Sequence, residues 1–225
     1  MIISRYWTYL VFVFAFMAGT LGLKAQSPIT LEVDATQAPK KIIHTHMGIP
    51  VSPGRLTLYY PKWIPGEHAP DGPIVNLAGL KFSGNGKTIP WRRDLVDMFA
   101  FHLDIPQGVS VLDATFDYVE PESTSGFTAG ASATDKLAVI SWNQNLLYPA
   151  GRLAQDIIFK ASLKLPEGWQ FGTPLPVARK EGNEIEFKPA SLNRLVDSPV
   201  SAGRFYRVVD VTPPGEPIHH EIDLA

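Results

Sequence analysis

Two pairs of histidines come nearest to metal chemistry in this sequence. Residues 219–223 read His-His-Glu-Ile-Asp, and Leu224 follows them. A zincin motif needs a second histidine three residues after the glutamate, so that both imidazoles lie on one face of a helix. Leu224 occupies that position. The segment also resembles a strand, which would send His219 and His220 to opposite faces. It is therefore not predicted to bind zinc.

His44 and His46 form the second pair. They are two residues apart, so on a strand both side chains lie on one face and could share a metal ion. The sequence offers no identifiable third ligand, and a half-exposed strand face is the favoured interpretation. His68 follows Glu67 in a predicted loop, and His102 lies in an apolar strand. Both of these histidines are predicted to be structural.

Other catalytic patterns are also incomplete. The chain has no cysteine, which excludes a thiolate zinc site, an iron–sulfur cluster, a cysteine nucleophile and a disulfide framework. Residues 126–130 have the glycine spacing of a serine nucleophile turn but carry threonine at the centre. Residues 86–88 resemble the end of a phosphate loop, but Lys81 stands where the first glycine is required. We therefore predict no catalytic, cofactor-binding or metal-ligating residue in this chain.

Length, charge and composition narrow the class of protein. The chain has 225 residues and a formal net charge of −2. This balance provides no basic surplus for nucleic acid and no acidic tail for a charged partner. The 20 prolines, 18 glycines and 11% aromatic residues are typical of a β-rich protein with many turns.

The first 25 residues have the pattern of a secretory signal. Arg5 is followed by an apolar run over residues 10–23 and then by the small residue Ala25. We predict cleavage after Ala25, which divides the chain into a signal peptide, residues 1–25, and a domain, residues 26–225. The alternative is an uncleaved anchor, although the run is shorter than the roughly 20 residues of a membrane span. We expect an exported, periplasmic or secreted domain that has no membrane contact after cleavage.

Short strands between turn signals dominate residues 26–225. The clearest hairpin lies at residues 84–87, since its Asn-Gly pair accepts the positive φ angles of a tight turn. Helix signals are limited to residues 73–80 and 189–196, and the Ser/Thr/Gly-rich residues 122–135 are predicted to be a mobile loop. We predict an all-β fold, an antiparallel β-sandwich-like domain of about eleven to thirteen strands with long loops and one or two short helices.

An aromatic strand that runs into a proline-rich turn is the most distinctive segment. Residues 58–68 read Leu-Tyr-Tyr-Pro-Lys-Trp-Ile-Pro-Gly-Glu-His. This segment resembles the N-terminal domain of the glycyl aminopeptidase family of zinc metallopeptidases, family sixty-one of the peptidase classification. In that family a strand ends in a Pro-x-Trp-x-Pro-Gly turn, whose positions are taken here by Pro61, Trp63, Pro65 and Gly66. Later segments of the family's domain are resembled, in order, by residues 76–80, 89–94 and 197–203. The resemblance covers roughly residues 28–225.

The resemblance implies a multi-domain exported peptidase. In the family, this β domain precedes a thermolysin-like zinc domain with a His-Glu-x-x-His motif, usually followed by a PDZ domain. We expect zinc and its ligands to belong to a catalytic domain absent from this chain. The chain would then be a non-catalytic domain, inactive alone and without a cofactor of its own, which packs on the catalytic domain and helps to shape its substrate cleft. Peptide substrate would be an indirect partner, and nucleic acid is not expected as a partner.

Six residues are candidates for that cleft or for the interface between the domains. Trp63, Glu67 and His68 belong to the proline-rich turn, for which a rigid corner, with Trp63 held by packing, is the favoured interpretation. The alternative is that these three residues line a cleft shared with the catalytic domain. Residues 141–149 mix large apolar side chains with amides and carry no charge, so we predict that they form part of an exposed apolar patch. Its candidate residues are Trp142, Asn143 and Tyr148.

Two other functions remain open at this point. One is a self-sufficient exported binding module for glycans or peptides, in which an exposed tryptophan stacks on the ligand. The tryptophans available for this role are Trp63, Trp91, Trp142 and Trp169. The other is a hydrolase that uses His44 and His46.

Overall fold

The computed structural model describes residues 27–64, 68–121 and 132–225. The predicted signal peptide, three residues of the proline-rich turn (Pro65, Gly66 and Glu67) and residues 122–131 of the predicted loop lie outside the described residues. In chain order the described strands are β1 (Ile29–Asp34), β2 (Ile42–Pro50), β3 (Gly54–Tyr59), β4 (Leu77–Gly84), β5 (Lys87–Thr88), β6 (Trp91–Arg93), β7 (Ala100–Ile105), β8 (Val111–Val119), β9 (Ser132–Ala133), β10 (Leu137–Ile140), β11 (Tyr148–Pro149), β12 (Ile158–Lys164), β13 (Gln170–Gly172), β14 (Val177–Glu181), β15 (Glu184–Phe187), β16 (Ala190–Ser191), β17 (Val200–Gly203), β18 (Arg207–Asp210) and β19 (Glu221–Leu224).

The described strands form four sheets. The largest has nine strands in the order β14-β15-β12-β1-β2-β8-β4-β5, with β16 also paired to β12. Two four-stranded sheets have the orders β13-β17-β10-β9 and β11-β3-β7-β6, and β18 pairs with β19 alone. Among the described strands, β1 and β12 run parallel and the other pairs are antiparallel. The predicted all-β, sandwich-like fold class is confirmed, although many strands of two to four residues raise their number to nineteen in the described part of the chain.

Alternation along the strands decides which face of the large sheet is buried. In β1, Ile29, Leu31 and Val33 are buried while the residues between them are exposed. In β8 the buried positions again alternate, and they include Phe116 and Tyr118. Because successive side chains of a strand point to opposite sides, this pattern provides one apolar face and one polar face.

The apolar face of the large sheet is covered by the two four-stranded sheets. One contributes Leu58 and Phe101 and the other contributes Ile140 and Val200, and all four belong to a single buried cluster with the residues of the large sheet. Removal of this apolar surface from water is the main favourable term in the folding free energy. The result is a sandwich whose polar outer face is the far side of the large sheet.

The predicted Asn-Gly hairpin is confirmed, but its second strand is shorter than expected. Asn85 and Gly86 have φ angles of 50° and 74°, and they join Gly84 of β4 to Lys87 of β5. After Ile89, whose N–H donates to the carbonyl of Phe82, the chain leaves this sheet and continues as β6 in another one. Pro90 lies where the chain passes from one sheet to the other. Proline has no N–H to donate to a neighbouring strand, so it is tolerated at this position between two strands.

Helical structure is sparse, as predicted. Residues 189–196 contain one short helix, α1 (Leu192–Val196), whose N-cap Ser191 accepts a hydrogen bond from the N–H of Arg194 at 3.4 Å. Residues 73–80 contain a single 3₁₀ turn before β4, and the other described 3₁₀ turns are short as well; the four are Ala38–Lys40, Ile74–Asn76, Trp142–Gln144 and Ala154–Asp156. Across the described part of the chain, no helix is both long and apolar enough to cross a membrane.

Candidate functional site

A small groove brings together three of the six candidate residues. It has a volume of about 130 Å³, and its lining includes Trp63, Asn143, Tyr148, Leu192, Asn193 and Val196. The three candidates come from two segments far apart in sequence, and α1 closes the opposite side. Apolar side chains form most of this lining, and asparagine amides are placed between them. Such a lining can hold an extended chain or an apolar side chain.

Trp63 stands at the mouth of the groove with 63% of its surface exposed. The residue before it, Lys62, is held by an ion pair with Asp97 at 2.7 Å and by a hydrogen bond from the N–H of Gly72 to its carbonyl oxygen. A Cβ atom on Gly72 would come within 1.9 Å of the carbonyl oxygen of Pro61, so this close approach requires glycine. The backbone beside Trp63 is thus fixed while its indole faces solvent.

Tyr148 reaches the groove from the short strand β11. It lies opposite Tyr59 of β3, and the two rings are tilted against each other with centroids 5.9 Å apart. Burial raises the pKa of the Tyr148 hydroxyl above its usual value of 10.0, and the neighbouring Tyr59 and Asp97 add to this effect. Tyr148 is therefore a neutral hydrogen-bonding group at physiological pH.

Trp142 is placed differently from the prediction. It is fully buried, its indole N–H donates to the carbonyl of Ser198 at 2.8 Å, and its ring lies edge-on to Phe187. The predicted exposed apolar patch at residues 141–149 is therefore wrong, since residues 142–147 are all buried. Trp142 supports the groove from behind and does not line it.

Amide side chains explain why this uncharged segment can be buried. Asn145 donates to the carbonyl of Ser141 at 3.0 Å, and its amide oxygen accepts a hydrogen bond from Thr45. The hydroxyl of Tyr60 donates to the backbone carbonyl of Gln144 at 3.2 Å. Buried polar groups are tolerated when they are hydrogen-bonded, so the Asn145 amide and the Tyr60 hydroxyl help an irregular segment to cross the core, whereas the side-chain oxygen of Gln144 has no hydrogen-bond partner among the described residues.

The other candidate residues do not join the groove. His68 is exposed and is not among the groove's lining residues, and Glu67 lies outside the described residues. Of the tryptophans considered for ligand stacking, Trp169 is 8% exposed and Trp91 is 36% exposed, packed edge-on against Phe101. Trp63, at 63% exposed, is therefore the most accessible of these four tryptophans.

His44 and His46 do share one face of β2, as the spacing predicts, but each is paired with carboxylates. His44 Nδ1 lies 2.7 Å from an oxygen of Asp117. His46 lies 3.2 Å from Glu32 and 3.4 Å from Asp113. Among the described residues, no group of three or more histidine, aspartate or glutamate side chains is arranged to hold a metal ion.

These histidines belong to a broad polar surface that we call the outer face, defined by Glu32, His44, His46, Asp117, Lys164 and Glu184. It is concave, with a volume of about 670 Å³. Along one row of the sheet Glu184 lies opposite Lys164, Lys164 opposite Asp34, and His44 lies between Asp34 and Asp117. Neighbouring strands thus place groups of opposite charge next to each other, which is the favourable arrangement for cross-strand pairs.

Glu120 is the exception among the carboxylates. It follows β8, is 3% exposed, and neither of its side-chain oxygens has a hydrogen-bond partner among the described residues. Burial raises the pKa of this carboxyl from 4.5 to about 7, and the charge of Lys41 opposes the shift only in part. The sequence contained no signal for this burial, because a glutamate at a strand end usually faces water.

A second exposed apolar feature also escaped the sequence analysis. Leu95 and Val96 are 97% and 96% exposed at the tip of the connection from β6 to β7. Asp94 shapes this turn, since one of its oxygens accepts hydrogen bonds from the N–H groups of Val96 and Asp97 and the other is bonded to His102. These bonds hold the pKa of Asp94 well below its usual range. In the sequence, the Asp-x-x-Asp spacing at residues 94–97 was the signal that could have indicated this turn.

The groove and fold can now be compared with known proteins. Residues 30–204 match the family model described as the peptidase M61 N-terminal domain. A comparison with curated protein sequences finds no match. The family match confirms the resemblance that the proline-rich turn indicated.

Among solved structures, one has a similar fold and two others match more weakly. An aminopeptidase N family protein from Idiomarina loihiensis is similar with a TM-score of 0.71 and 16% identity, over 87% of this chain and 32% of that chain. An M1 zinc metallopeptidase from Deinococcus radiodurans has a TM-score of 0.47 and 11% identity, over 88% of this chain and 46% of that one. Aminopeptidase A from Legionella pneumophila has a TM-score of 0.47 and 11% identity, over 87% of this chain and 23% of that one.

The present chain thus spans about a third of the length of the Idiomarina protein. At such identities the likeness is one of fold, and the family assignment depends on the match of residues 30–204. Because that match covers most of the 225 residues, this chain belongs to the peptidase M61 family and carries that family's N-terminal domain.

Proposed function

We propose that residues 26–225 are the non-catalytic N-terminal β domain of an exported zinc metallopeptidase of aminopeptidase type. In this proposal the domain packs on a catalytic domain and forms one wall of its substrate cleft. The observation that carries the proposal is the family match over residues 30–204. It is supported by the groove, in which an exposed Trp63 stands beside Asn143 and Tyr148.

Zinc would be held outside the residues described here. The described residues contain no suitable group of three ligands, and Leu224 interrupts the one sequence that approaches a zinc motif. No chemical step is therefore assigned to side chains of this chain. Its contribution would be to position peptide substrate and to exclude water from one side of the cleft, as walls of enzyme clefts commonly do.

The first test is the intact mass of the protein isolated from its native cells, together with its zinc content. A product much heavier than this chain, with the same mature N-terminus and about one zinc per molecule, is expected. A product of about 22 kDa, the size left after loss of a signal peptide, would contradict the proposal and favour the binding module. N-terminal sequencing of the same sample tests export, since a product that begins at Met1 would contradict signal cleavage.

The second test concerns the groove itself. In the native-length peptidase, Trp63→Ala should raise KM for peptide substrates several-fold and leave kcat nearly unchanged. The reason is that a cleft wall contacts the ground state and the transition state alike. Val75→Ala is the matched control, because Val75 is 84% exposed and lies outside the groove lining. Equal KM values for the two variants would contradict a role of Trp63 in the cleft.

A further inference from the structure

The hairpin of β18 and β19 has one apolar face and one polar face. Arg207 lies opposite Leu224, and Val209 lies opposite Ile222. Residues that are opposite each other in an antiparallel pair point to the same side of the sheet. Val211 continues the alternation, with its N–H donating to the carbonyl of His220 at 2.9 Å. We call the surface formed by Val209, Val211, Ile222 and Leu224 the apolar hairpin face.

The opposite face of the hairpin is largely polar: Val208, which is 53% exposed, is its apolar residue, and several of its polar groups are paired with one another. His219 lies 3.7 Å from Asp210 and 3.4 Å from Glu221. Tyr206 donates its hydroxyl hydrogen to Asp223. Asp223 also lines a shallow recess together with Gly172, so this face of the hairpin adjoins the body of the domain.

The apolar hairpin face is exposed over its whole length. Its four side chains are 40 to 50% exposed. Alternation of apolar and polar residues is typical of a sheet that is covered on one side and solvated on the other. A two-stranded hairpin is marginally stable by itself in water and is normally packed against another element. The hairpin therefore has the residue pattern of a sheet that is packed on one side, although that side is exposed in the described part of the chain.

The position of the hairpin in the chain points to what covers it. The family match to the N-terminal domain ends at residue 204, directly before β18. The similar Idiomarina structure has about two thirds of its chain outside the part that this domain matches. The hairpin thus follows the residues that match the N-terminal domain and is the part of the described chain that adjoins them on the C-terminal side.

We infer that the apolar hairpin face is the docking surface for the peptidase domain of the native-length protein. This inference rests on the proposed function. The partner surface would be apolar at its centre, to match Val209 and Ile222. It would carry a carboxylate at one end, to meet Arg207, which lies on the same face. Docking by this face removes apolar side chains from water and leaves the polar face on the body of the domain.

The inference can be tested by photo-cross-linking in the native protein. A photoreactive phenylalanine analogue is placed at position 209 or 222 of the gene in its native cells, and at position 208 as a matched control. Val208 is 53% exposed and lies on the opposite face of the same strand. Intramolecular cross-links from positions 209 and 222 to peptides of the peptidase domain are expected, with a yield several-fold above that from position 208.

Equal yields from the two faces, or cross-links confined to residues 26–225, would overturn the inference even if the intact mass and the zinc content agree with the proposed function. A short product without zinc would instead overturn the proposed function, and the inference with it. A second measurement is limited proteolysis of Val209→Asn and Val208→Asn in the native-length protein, since an uncharged amide adds no repulsion opposite Asp223. Cleavage within residues 204–225 should accelerate several-fold in the first variant alone, and equal cleavage rates would also overturn the inference.

Discussion

The outer face and the apolar hairpin face are both sheet surfaces open to solvent, but their chemistry is opposite. On the outer face, polar groups lie beside suitable partners: Lys164 and Glu184 form an ion pair at 2.8 Å, and a ring nitrogen of His44 lies 2.7 Å from an oxygen of Asp117. On the hairpin, four aliphatic side chains are 40 to 50% exposed. The outer face needs nothing more to be stable in water, whereas the hairpin leaves apolar area uncovered.

The comparison shows that the larger concavity and the exposed apolar side chains lie in different parts of this domain. The outer face has a concavity of about 670 Å³, whereas the groove at Trp63 has about 130 Å³. The larger concavity is lined by charges that are already paired with one another. The smaller groove and the hairpin expose apolar groups, and these gain free energy when a partner covers them.

The largest expected effect lies on the buried side of the large sheet. Phe116→Ala should lower the free energy of unfolding by about 3–5 kcal/mol, because it leaves a cavity in the core. Phe116 is 3% exposed in β8. Chemical denaturation of the chain measures the change. A loss below about 1 kcal/mol, the value typical of surface positions, would show that Phe116 does not lie in a tightly packed core.

The next effect concerns Glu120, which is buried at the end of the same strand without a described partner. Its pKa is raised from 4.5 to about 7, so the folded state binds the proton more tightly than the unfolded state. This contribution to stability is complete below about pH 4.5 and is lost as pH rises to about 7. Glu120→Gln removes the titration.

The difference in unfolding free energy between Glu120→Gln and the wild type should therefore grow with pH, to about 3 kcal/mol in favour of the variant. Denaturant titrations between pH 4 and pH 8 measure this. Glu167→Gln, at an exposed position, is the control and should show a smaller pH dependence. A pH-independent difference for Glu120→Gln would contradict the buried, ionisable carboxyl.

A smaller effect is expected on the outer face. His44→Ala removes the pair with Asp117, whose side chains are 38% and 43% exposed. An exposed pair of side chains contributes less than about 1 kcal/mol, and salt screens any charge in it, so the loss should be small at both low and high ionic strength. Unfolding measured at low and high ionic strength tests this. A loss comparable to that of Phe116→Ala would assign the outer face a structural role that its exposure does not indicate.

The smallest effect on stability is expected at the hairpin. Ile222→Ala should change the unfolding free energy of the chain by less than about 0.5 kcal/mol, because half of the side chain already faces water. The same variant should reduce binding of a dye that reports apolar surface. The control is Leu153→Ala, which removes another exposed aliphatic side chain outside the hairpin and so measures the effect of losing any one such group. Unchanged dye binding by Ile222→Ala would mean that the apolar hairpin face is not accessible.

Local pattern allowed much of the fold to be predicted. In the sequence, alternation over residues 109–119 predicts the strand found as β8, and the Asn-Gly pair predicts the turn between β4 and β5, since both signals depend on a few neighbouring residues. Prediction fails where a side chain redirects the backbone. Residues 96–105 have the composition of one strand, but β7 begins only at Ala100, because Asp94 accepts hydrogen bonds from the N–H groups of Val96 and Asp97.

The candidate site could be predicted only in part. Trp63, Asn143 and Tyr148 lie together in the groove as members of two distant segments, and residue types at each segment suggested them. Trp142 was misplaced, because nothing in its neighbours reveals that its indole donates to Ser198, a residue 56 positions later in the chain. The burial of Glu120 was missed for the same reason, whereas the exposed tip at Leu95 had a local signal in the spacing of Asp94 and Asp97.

The sequence by itself therefore determined the β class, the family and the absence of a zinc motif in these residues, because each depends on short-range pattern or on residue order. The tertiary structure decided which apolar residues remain uncovered. Whether Trp63 and Ile222 face solvent while Trp142 is buried depends on contacts between strands distant in the chain. Burial is a property of those contacts and not of the residue type.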